Sequence, residues 1–333
     1  MNRKARWATR LLGPAVLAYF LLTTDLHRIG AHLREVHWAP LALSLALFPA
    51  LAVAKAWRWT MLIRELDMPV PSVGRATLLF MIGQFAGGAT PGQSGDFVRA
   101  WYLREQGSPL SSALFSILLD RMFDFLILAL VALLGLVAFL DLFPPALRPS
   151  IGTATLGFAA AMALAIPALM ARRPRGWLLG RVRALAPRGA RERMTRWQDQ
   201  LDALDARVAL VAMLLLATAV ATAVVMVRWW LLFRALDVAV PVMVLVSSSA
   251  LISILQTLPI SVSGIGVRDV VLVAVLTHYG YGSERALALS ALFLVLVVEQ
   301  MLVGFLVSMR HPLGAAARSA ALATAPAGEE PRR

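Results

Sequence analysis

The chain has 333 residues, of which 59% are hydrophobic and 15% charged, and its mean hydropathy is +0.73. Soluble domains are about half apolar and about a quarter charged, so this composition excludes a soluble globular protein and indicates an integral membrane protein. Cysteine is absent, which excludes disulfides, thiolate catalysis and cysteine metal sites. The net charge of +13 is best explained by positively charged cytoplasmic loops. Attraction to anionic lipid is the second explanation, and nucleic-acid binding is the least supported.

Apolar runs of membrane-spanning length recur along the chain. A basic amino terminus precedes the first run, 11–24, which lacks a small-x-small cleavage site and is interpreted as an uncleaved helix. The loop 25–38 holds three histidines that do not share a helix face, so no metal site is expected there. The other predicted spans are 40–57, 111–140, 151–170, 208–230 and 286–309.

Two further apolar regions are interrupted by Gly and Pro, at FAGGATPGQSGDFVR (85–99) and PISVSGIG (259–266). Non-helical backbone cannot face lipid, because each unpaired N–H or C=O there costs several kcal/mol. Each break is therefore an extramembrane loop or the tip of a re-entrant hairpin. The arms, about 15–17 residues, fall short of the ~20 needed to span, which favours re-entrant hairpins. The breaking residues are Gly87, Gly88, Pro91, Gly92, Gly95, Pro259, Gly264 and Gly266.

The sequence contains an internal match: WRWTMLIRELDMPVP (57–71) aligns with VRWWLLFRALDVAVP (227–241). Further on, an acidic residue in one predicted span falls opposite an acidic residue in another. An ordered series of this kind predicts a duplication. The matched pairs are Arg58 with Arg228, Trp59 with Trp229, Arg64 with Arg234, Asp67 with Asp237, and Asp120 with Glu299.

Topology predicts that the two halves have opposite orientation. The basic amino terminus and the arginine-rich loop 172–196 are assigned to the cytoplasm. Residues 58–71 then lie inside and residues 228–241 outside, so the duplication is an inverted repeat, the arrangement of many transporters. The predicted fold is an all-α polytopic membrane bundle of about 8 helices with two re-entrant hairpins. It forms one domain, 1–311, whose halves are 1–171 and 197–311, followed by a disordered cytoplasmic tail, 312–333.

Eight ionisable residues are expected at membrane depth, where a charge costs about 2.5–3.5 kcal/mol and normally faces an interior. Asp120 and Asp124 share a helix face and Arg121 neighbours Asp124, so this group forms structural ion pairs among itself or relays charge. The full set is Asp96, Arg99, Asp120, Arg121, Asp124, Arg268, Asp269 and Glu299.

Two of these arginines, Arg99 and Arg268, directly follow the Gly-rich breaks. Arginine binds phosphate oxygens in bidentate fashion, and helix N-termini also favour anions, so we expect both to bind a lipid phosphate. Gln93 and Ser94 are expected either to add neutral hydrogen bonds or simply to be solvated in a loop.

Catalytic motifs are missing from the sequence: there is no HExxH, GxSxG or Walker loop. We therefore expect no enzyme activity, no cofactor and no metal. A lipid-phosphate hydrolase that uses Asp120 and Asp124 remains an alternative, as does a non-transporting accessory subunit.

Three segments together resemble the membrane region of lysylphosphatidylglycerol synthase-type proteins, the flippase-like domain family. They are GGATPGQSGDFVRAWYLRE, SILLDRMFDFLILAL and SGIGVRDVVLVAVLTHYG, and the likeness extends over about residues 10–310. The pattern is carried by Pro91, Asp96, Arg99, Arg121, Asp124, Gly264, Arg268 and Asp269. The second break departs from the family's more usual Pro-Gly-Gly-like turn.

The resemblance implies a protein that translocates or exposes a phospholipid or a polyprenyl-phosphate-linked lipid. Membrane lipids with anionic or phosphate-bearing headgroups are the expected partners, and protein partners are not specified. The soluble aminoacyl-transferase domain of the full-length enzymes does not follow the membrane part, so aminoacyl-lipid synthesis is not expected. The expected location is a bacterial-type cytoplasmic (inner) membrane, with both termini cytoplasmic.

Overall fold

The computed structural model describes residues 31–88, 90–139, 145–146, 148–185, 191, 195, 208–257 and 266–311. All regular secondary structure in this part of the chain is helical, which confirms the all-α prediction. The helices are α1 (Trp38–Ala46), α2 (Phe48–Glu65), α3 (Val73–Gly88), a 3-10 helix (Pro91–Val98), α4 (Arg99–Glu105), α5 (Leu110–Phe139), α6 (Arg148–Met170), α7 (Arg172–Leu185), α8 (Val208–Ala235), α9 (Val242–Thr257), α10 (Val267–His278) and α11 (Ser283–Arg310).

Four helical stretches among these residues are long and apolar enough to cross a membrane. They are Trp38–Glu65, Arg148–Ala168, Val208–Ala235 and Ser283–Arg310. The predicted first span (11–24), the predicted tail (312–333), Pro259 and Gly264 lie outside the described residues.

One predicted boundary is wrong. The second predicted span was expected to end at Trp57, with Arg58 in a cytoplasmic loop, yet α2 continues to Glu65 and Arg58 is fully buried within it. The reason is that carboxylates of α5 compensate the arginine charge, so a basic residue does not mark the helix end here. The connecting segment 172–196 contains a helix, Arg172–Leu185.

The carboxyl ends of α2 and α8 have the same backbone conformation. Asp67 has φ 48° and Asp237 has φ 49°, both in the left-handed region. In each case the next amide returns to the carbonyl of the third-last helical residue, the hydrogen bond that defines a Schellman cap. These bonds run from Met68 N–H to Ile63 O (3.3 Å) and from Val238 N–H to Phe233 O (2.9 Å).

The first Gly/Pro break forms a tight hairpin in which the 3-10 helix folds back against α3. Thr90 fastens the turn, because its Oγ1 donates to Ala86 O (2.9 Å) and accepts from Gly95 N–H (2.6 Å). A Cβ at Gly95 would lie 2.0 Å from Ala86 O, so the arms approach this closely only with glycine. The arms are α3, with 16 residues, and the 3-10 helix continued by α4.

The two halves of the chain pack into one another. Helix α3 of the first half packs on α11 of the second, while α9 of the second half packs on α5 of the first. At the α3–α11 contact, Gln84 Nε2 donates to Gln300 Oε1 over 3.2 Å. A Cβ at Gly304 would lie 2.2 Å from Met81 O, so these helices are in backbone contact. This interlocking leaves a cavity at the centre.

Candidate functional site

The central cavity has a volume of about 250 Å³ and is lined by residues of both halves. Its walls come from α2, α3, α5, α8, α9, α10 and α11. An apolar bundle concentrates charge in this way only where the charges face one another or a ligand. The charged residues on the wall are Lys55, Asp120, Arg121, Asp124, Arg228 and Arg268.

Arg58 organises one side of the cavity from behind the wall. Its Nε donates to Asp120 Oδ1 (2.8 Å) and its Nη1 to Asp124 Oδ1 (2.6 Å). The same Nη1 donates to Thr218 Oγ1 on α8 (2.9 Å). Lys55 Nζ pairs with the other oxygen of Asp124 at 2.8 Å. Arg58 therefore holds α2, α5 and α8 together, with Asp120 and Asp124 as its carboxylate partners.

A second network joins the hairpin to α5. Arg121 donates from Nε (2.9 Å) and Nη2 (2.5 Å) to Asp96 Oδ2. Arg99 Nη2 donates to the same oxygen (2.6 Å) and lies 3.5 Å from Asp120 Oδ2. Asp120, Arg121 and Asp124 thus form ion pairs with residues outside their own helix. These partners come from α2, through Lys55 and Arg58, and from the hairpin, through Asp96 and Arg99.

Arg99 is fully buried and lies behind the cavity wall. Its guanidinium stacks over Trp59, 4.6 Å from the ring centroid, and over Phe80 at 5.7 Å. A Cβ at Gly83 would lie 2.3 Å from Asp96 Oδ1, so a glycine makes room for this pair. In this arrangement Arg99 positions Asp96, which in turn positions Arg121 at the cavity.

In the second half of the chain, Arg228 of α8 has a role parallel to that of Arg58. Its Nε donates to Ser44 O (2.7 Å), and its Nη2 pairs with Glu299 of α11. Ser44 Oγ donates to Arg228 O in return (3.0 Å). Glu299, predicted as a relay or structural carboxylate, is thus held in an ion pair beside the cavity.

Arg268 lies at the start of α10, is 3% exposed and lines the cavity. Its Nε donates to Ser290 Oγ (2.9 Å), while Nη2 is 3.7 Å from Asp269 Oδ1. Its two terminal nitrogens donate no hydrogen bond to any described residue. Asp269 caps the helix, because its Oδ2 accepts from Gly266 N–H (2.8 Å), and it also accepts from Ser290 Oγ.

The remaining predicted positions belong to the hairpin. Gly87 and Gly88 line the cavity, and Ser94 is exposed. Pro91, Gly92 and Gln93 form the start of the 3-10 helix. The Gln93 side chain lies outside the described part of the structure, so its predicted contact with a ligand stays a prediction.

Three cations were missed by the sequence reasoning: Lys55, Arg58 and Arg228. The internal match did align Arg58 with Arg228, yet the predicted topology assigned Arg58 to the cytoplasmic side and Arg228 to the outside, beyond the membrane core. The sequence did contain a signal for the burial of these arginines. Each half of the match also has an acidic residue within a predicted span, Asp120 in the first half and Glu299 in the second. Within the described residues, no group of three or more His, Asp or Glu residues is placed to hold a metal ion.

A bundle of apolar helices around a charged internal cavity defines an integral, multi-pass membrane protein. Such a cavity is equipped to hold an anionic group, with arginines as donors and carboxylates to fix them. The chain belongs to the family of the lysylphosphatidylglycerol synthase transmembrane region, whose match covers residues 10–304. The resemblance stated from the sequence is thereby confirmed. No curated protein matches the chain significantly.

Proposed function

We propose that this protein translocates or exposes a lipid with a phosphate-bearing headgroup across the cytoplasmic membrane, and that the central cavity receives the headgroup. The observation that carries the proposal is Arg268. It is a nearly buried cation on the cavity wall whose Nε is bonded to Ser290, while its Nη2 has only a long ion pair with Asp269, at 3.7 Å, among the described residues. A phosphate oxygen pair matches the two donors of a guanidinium edge.

The charge balance around the cavity also supports an anionic ligand. The described ionisable groups of the cavity and its supporting networks include one more cation than carboxylate, and a bound anion would offset that excess in a low-dielectric interior. The cations are Lys55, Arg58, Arg99, Arg121, Arg228 and Arg268, and the carboxylates are Asp96, Asp120, Asp124, Asp269 and Glu299. Arg99, behind the wall, has a positioning role in this proposal.

An inverted repeat, with alternating access to the two leaflets, is part of the proposal. It is supported by the matching caps of α2 and α8 and by the parallel ion pairs of Arg58 and Arg228. Two contacts support the expected sidedness. His37 Nε2 meets Asp237 Oδ2 at 2.8 Å, and both were assigned outside. Tyr102 Oη donates to His311 O at 2.8 Å, joining the hairpin return to the carboxyl end of α11, both assigned inside.

Proteoliposomes that contain a fluorescent anionic phospholipid test the function. A membrane-impermeant reductant bleaches only outer-leaflet lipid, so further bleaching measures translocation. Because a hydrogen bond to a charged group contributes about 1.5–3 kcal/mol, we expect Arg268→Gln to slow translocation about tenfold or more. Arg268→Lys should retain part of the rate. Arg64→Gln, at an exposed position on α2, is the matched control. Equal rates for Arg268→Gln and Arg64→Gln would refute the assigned role.

The two other functions make different predictions in the same preparations. A lipid-phosphate enzyme would turn over labelled lipid in detergent, and Asp124→Asn would abolish that turnover. A non-transporting subunit would copurify with a stable partner, and its Arg268→Gln variant would function like the unmutated protein. Mass spectrometry of copurified lipid would identify the headgroup.

A further inference from the structure

Helix α7 is strongly amphipathic and basic, and the central cavity does not involve it. Its sequence, RRPRGWLLGRVRAL, contains five arginines and no acidic residue. In the sequence, apolar residues recur at Leu178, Val182 and Leu185, the i, i+4, i+7 spacing that is typical of an amphipathic helix. Arg172, Arg173, Arg181 and Arg183 are exposed.

The start of α7 is fixed to the end of a membrane-spanning helix. Arg175 is fully buried; its N–H donates to Ala171 O (3.2 Å), and its Nη1 reaches Met170 O (3.5 Å). Helix α7 packs against α6, which is one of the helices long and apolar enough to cross a membrane. The bend at Ala171 therefore places α7 at a membrane surface.

The exposed side of α7 has the composition of a membrane interface. Trp177 is 61% exposed, and Arg181 stacks over its ring, 5.3 Å from the centroid. Tryptophan is enriched at the headgroup level of membranes, and a basic amphipathic helix with an exposed aromatic residue binds in the interface plane. Because the Arg181 guanidinium stacks over the Trp177 indole, the two side chains lie at the same depth relative to the membrane surface.

We propose that α7 lies in the membrane interface and binds anionic phospholipid headgroups through Arg172, Arg173 and Arg181, with Trp177 at headgroup level. The positive charge of these arginines is complementary to the negative charge of an anionic leaflet. Each arginine near the surface contributes an attraction that corresponds to about a fivefold change in the local enrichment of anionic lipid. This surface is separate from the cavity and does not depend on the transport proposal.

The absence of cysteine makes a direct test simple. A Cβ at Gly180 meets no atom within 4 Å, so Gly180→Cys introduces a labelling site on α7 without a clash. The full chain, labelled there with a fluorophore, is placed in nanodiscs of phosphatidylcholine alone or mixed with phosphatidylglycerol. Quenching by a spin-labelled anionic lipid, relative to a spin-labelled neutral lipid, reports local enrichment. Gly74→Cys, also in open space but on α3, is the reference label.

We expect anionic enrichment at the Gly180 label, at least about fivefold lower when Arg172, Arg173 and Arg181 are all changed to Gln. The same three positions changed to Lys should keep it. In the unmutated helix, high salt should weaken the enrichment, because exposed charges are screened. The salt series needs no arginine substitution, so it remains decisive if the triple variant folds poorly. Equal quenching by the two lipids, or enrichment unaffected by salt, would overturn the proposal.

Discussion

Arg58 and Asp120 form a buried ion pair in which Arg58 Nε donates to Asp120 Oδ1 over 2.8 Å. Arg58 is 0% exposed and Asp120 is 1% exposed. Because the same guanidinium also reaches Asp124 and Thr218, one side chain connects α2 and α5 of the first half with α8 of the second. This residue is a structural centre of the bundle and a support for the cavity wall.

We therefore expect removal of the Arg58 side chain to destabilise the protein strongly. Arg58→Ala leaves two carboxylates without their main partner, and breaking a buried pair costs about 3–5 kcal/mol. Unfolding of the purified protein in detergent measures the loss, with Arg64→Ala on the exposed side of α2 as control. Adding Asp120→Asn to Arg58→Ala should recover part of the stability. Additive losses in this double-mutant cycle would show that the two side chains are not coupled.

The turn at Gly95 is expected to require glycine. An alanine Cβ there would lie 2.0 Å from Ala86 O, and overpacking of this kind costs about 1–3 kcal/mol. Gly74→Ala is the matched control on the same hairpin, since its Cβ meets nothing within 4 Å. Thermal unfolding in detergent should separate the two variants, with only Gly95→Ala lowering the midpoint. A normal midpoint for Gly95→Ala would contradict the close approach of the arms.

Asp67 and Asp237 share a backbone conformation but differ in their contacts. A left-handed φ strains an L-residue by about 1–2 kcal/mol. Glycine avoids this strain, but it loses more conformational entropy on folding, which costs about 0.5–1 kcal/mol. Asp67→Gly should therefore stabilise the protein by up to about 1 kcal/mol. Asp237→Gly should gain less, because it loses the contact with His37. Denaturation of both variants beside the parent measures the difference, and a destabilised Asp67→Gly would disprove the strain argument.

Sidedness can be tested with single cysteines, because the chain has none of its own. In sealed, inside-out vesicles, an impermeant maleimide should label Arg104→Cys, whose side chain is exposed after the hairpin. It should not label His37→Cys until the vesicles are permeabilised. Labelling of both positions in sealed vesicles, or of His37→Cys alone, would refute the sidedness assigned to these two segments.

Much of the helical framework could be predicted because its signals are local. The predicted spans 111–140 and 151–170 correspond to Leu110–Phe139 and Arg148–Met170, since long apolar runs have no other stable conformation in lipid. The Gly/Pro break of the first half is also where predicted. The errors fall where charge was used as a boundary signal: Arg58 looked like a helix end, and only its distant carboxylate partners explain its burial.

By itself, the sequence determined the membrane class, the helical framework, the first Gly/Pro break and the family, because run length, composition and backbone preference are properties of short segments. Only the tertiary structure decided the pairing of the charges. Arg121 binds Asp96, 25 positions away, although Asp124 is three positions along its own helix. It also placed Arg268 on the cavity wall and Arg99 behind it. Both outcomes depend on distances between helices remote in sequence, and those distances exist only once the two halves have packed.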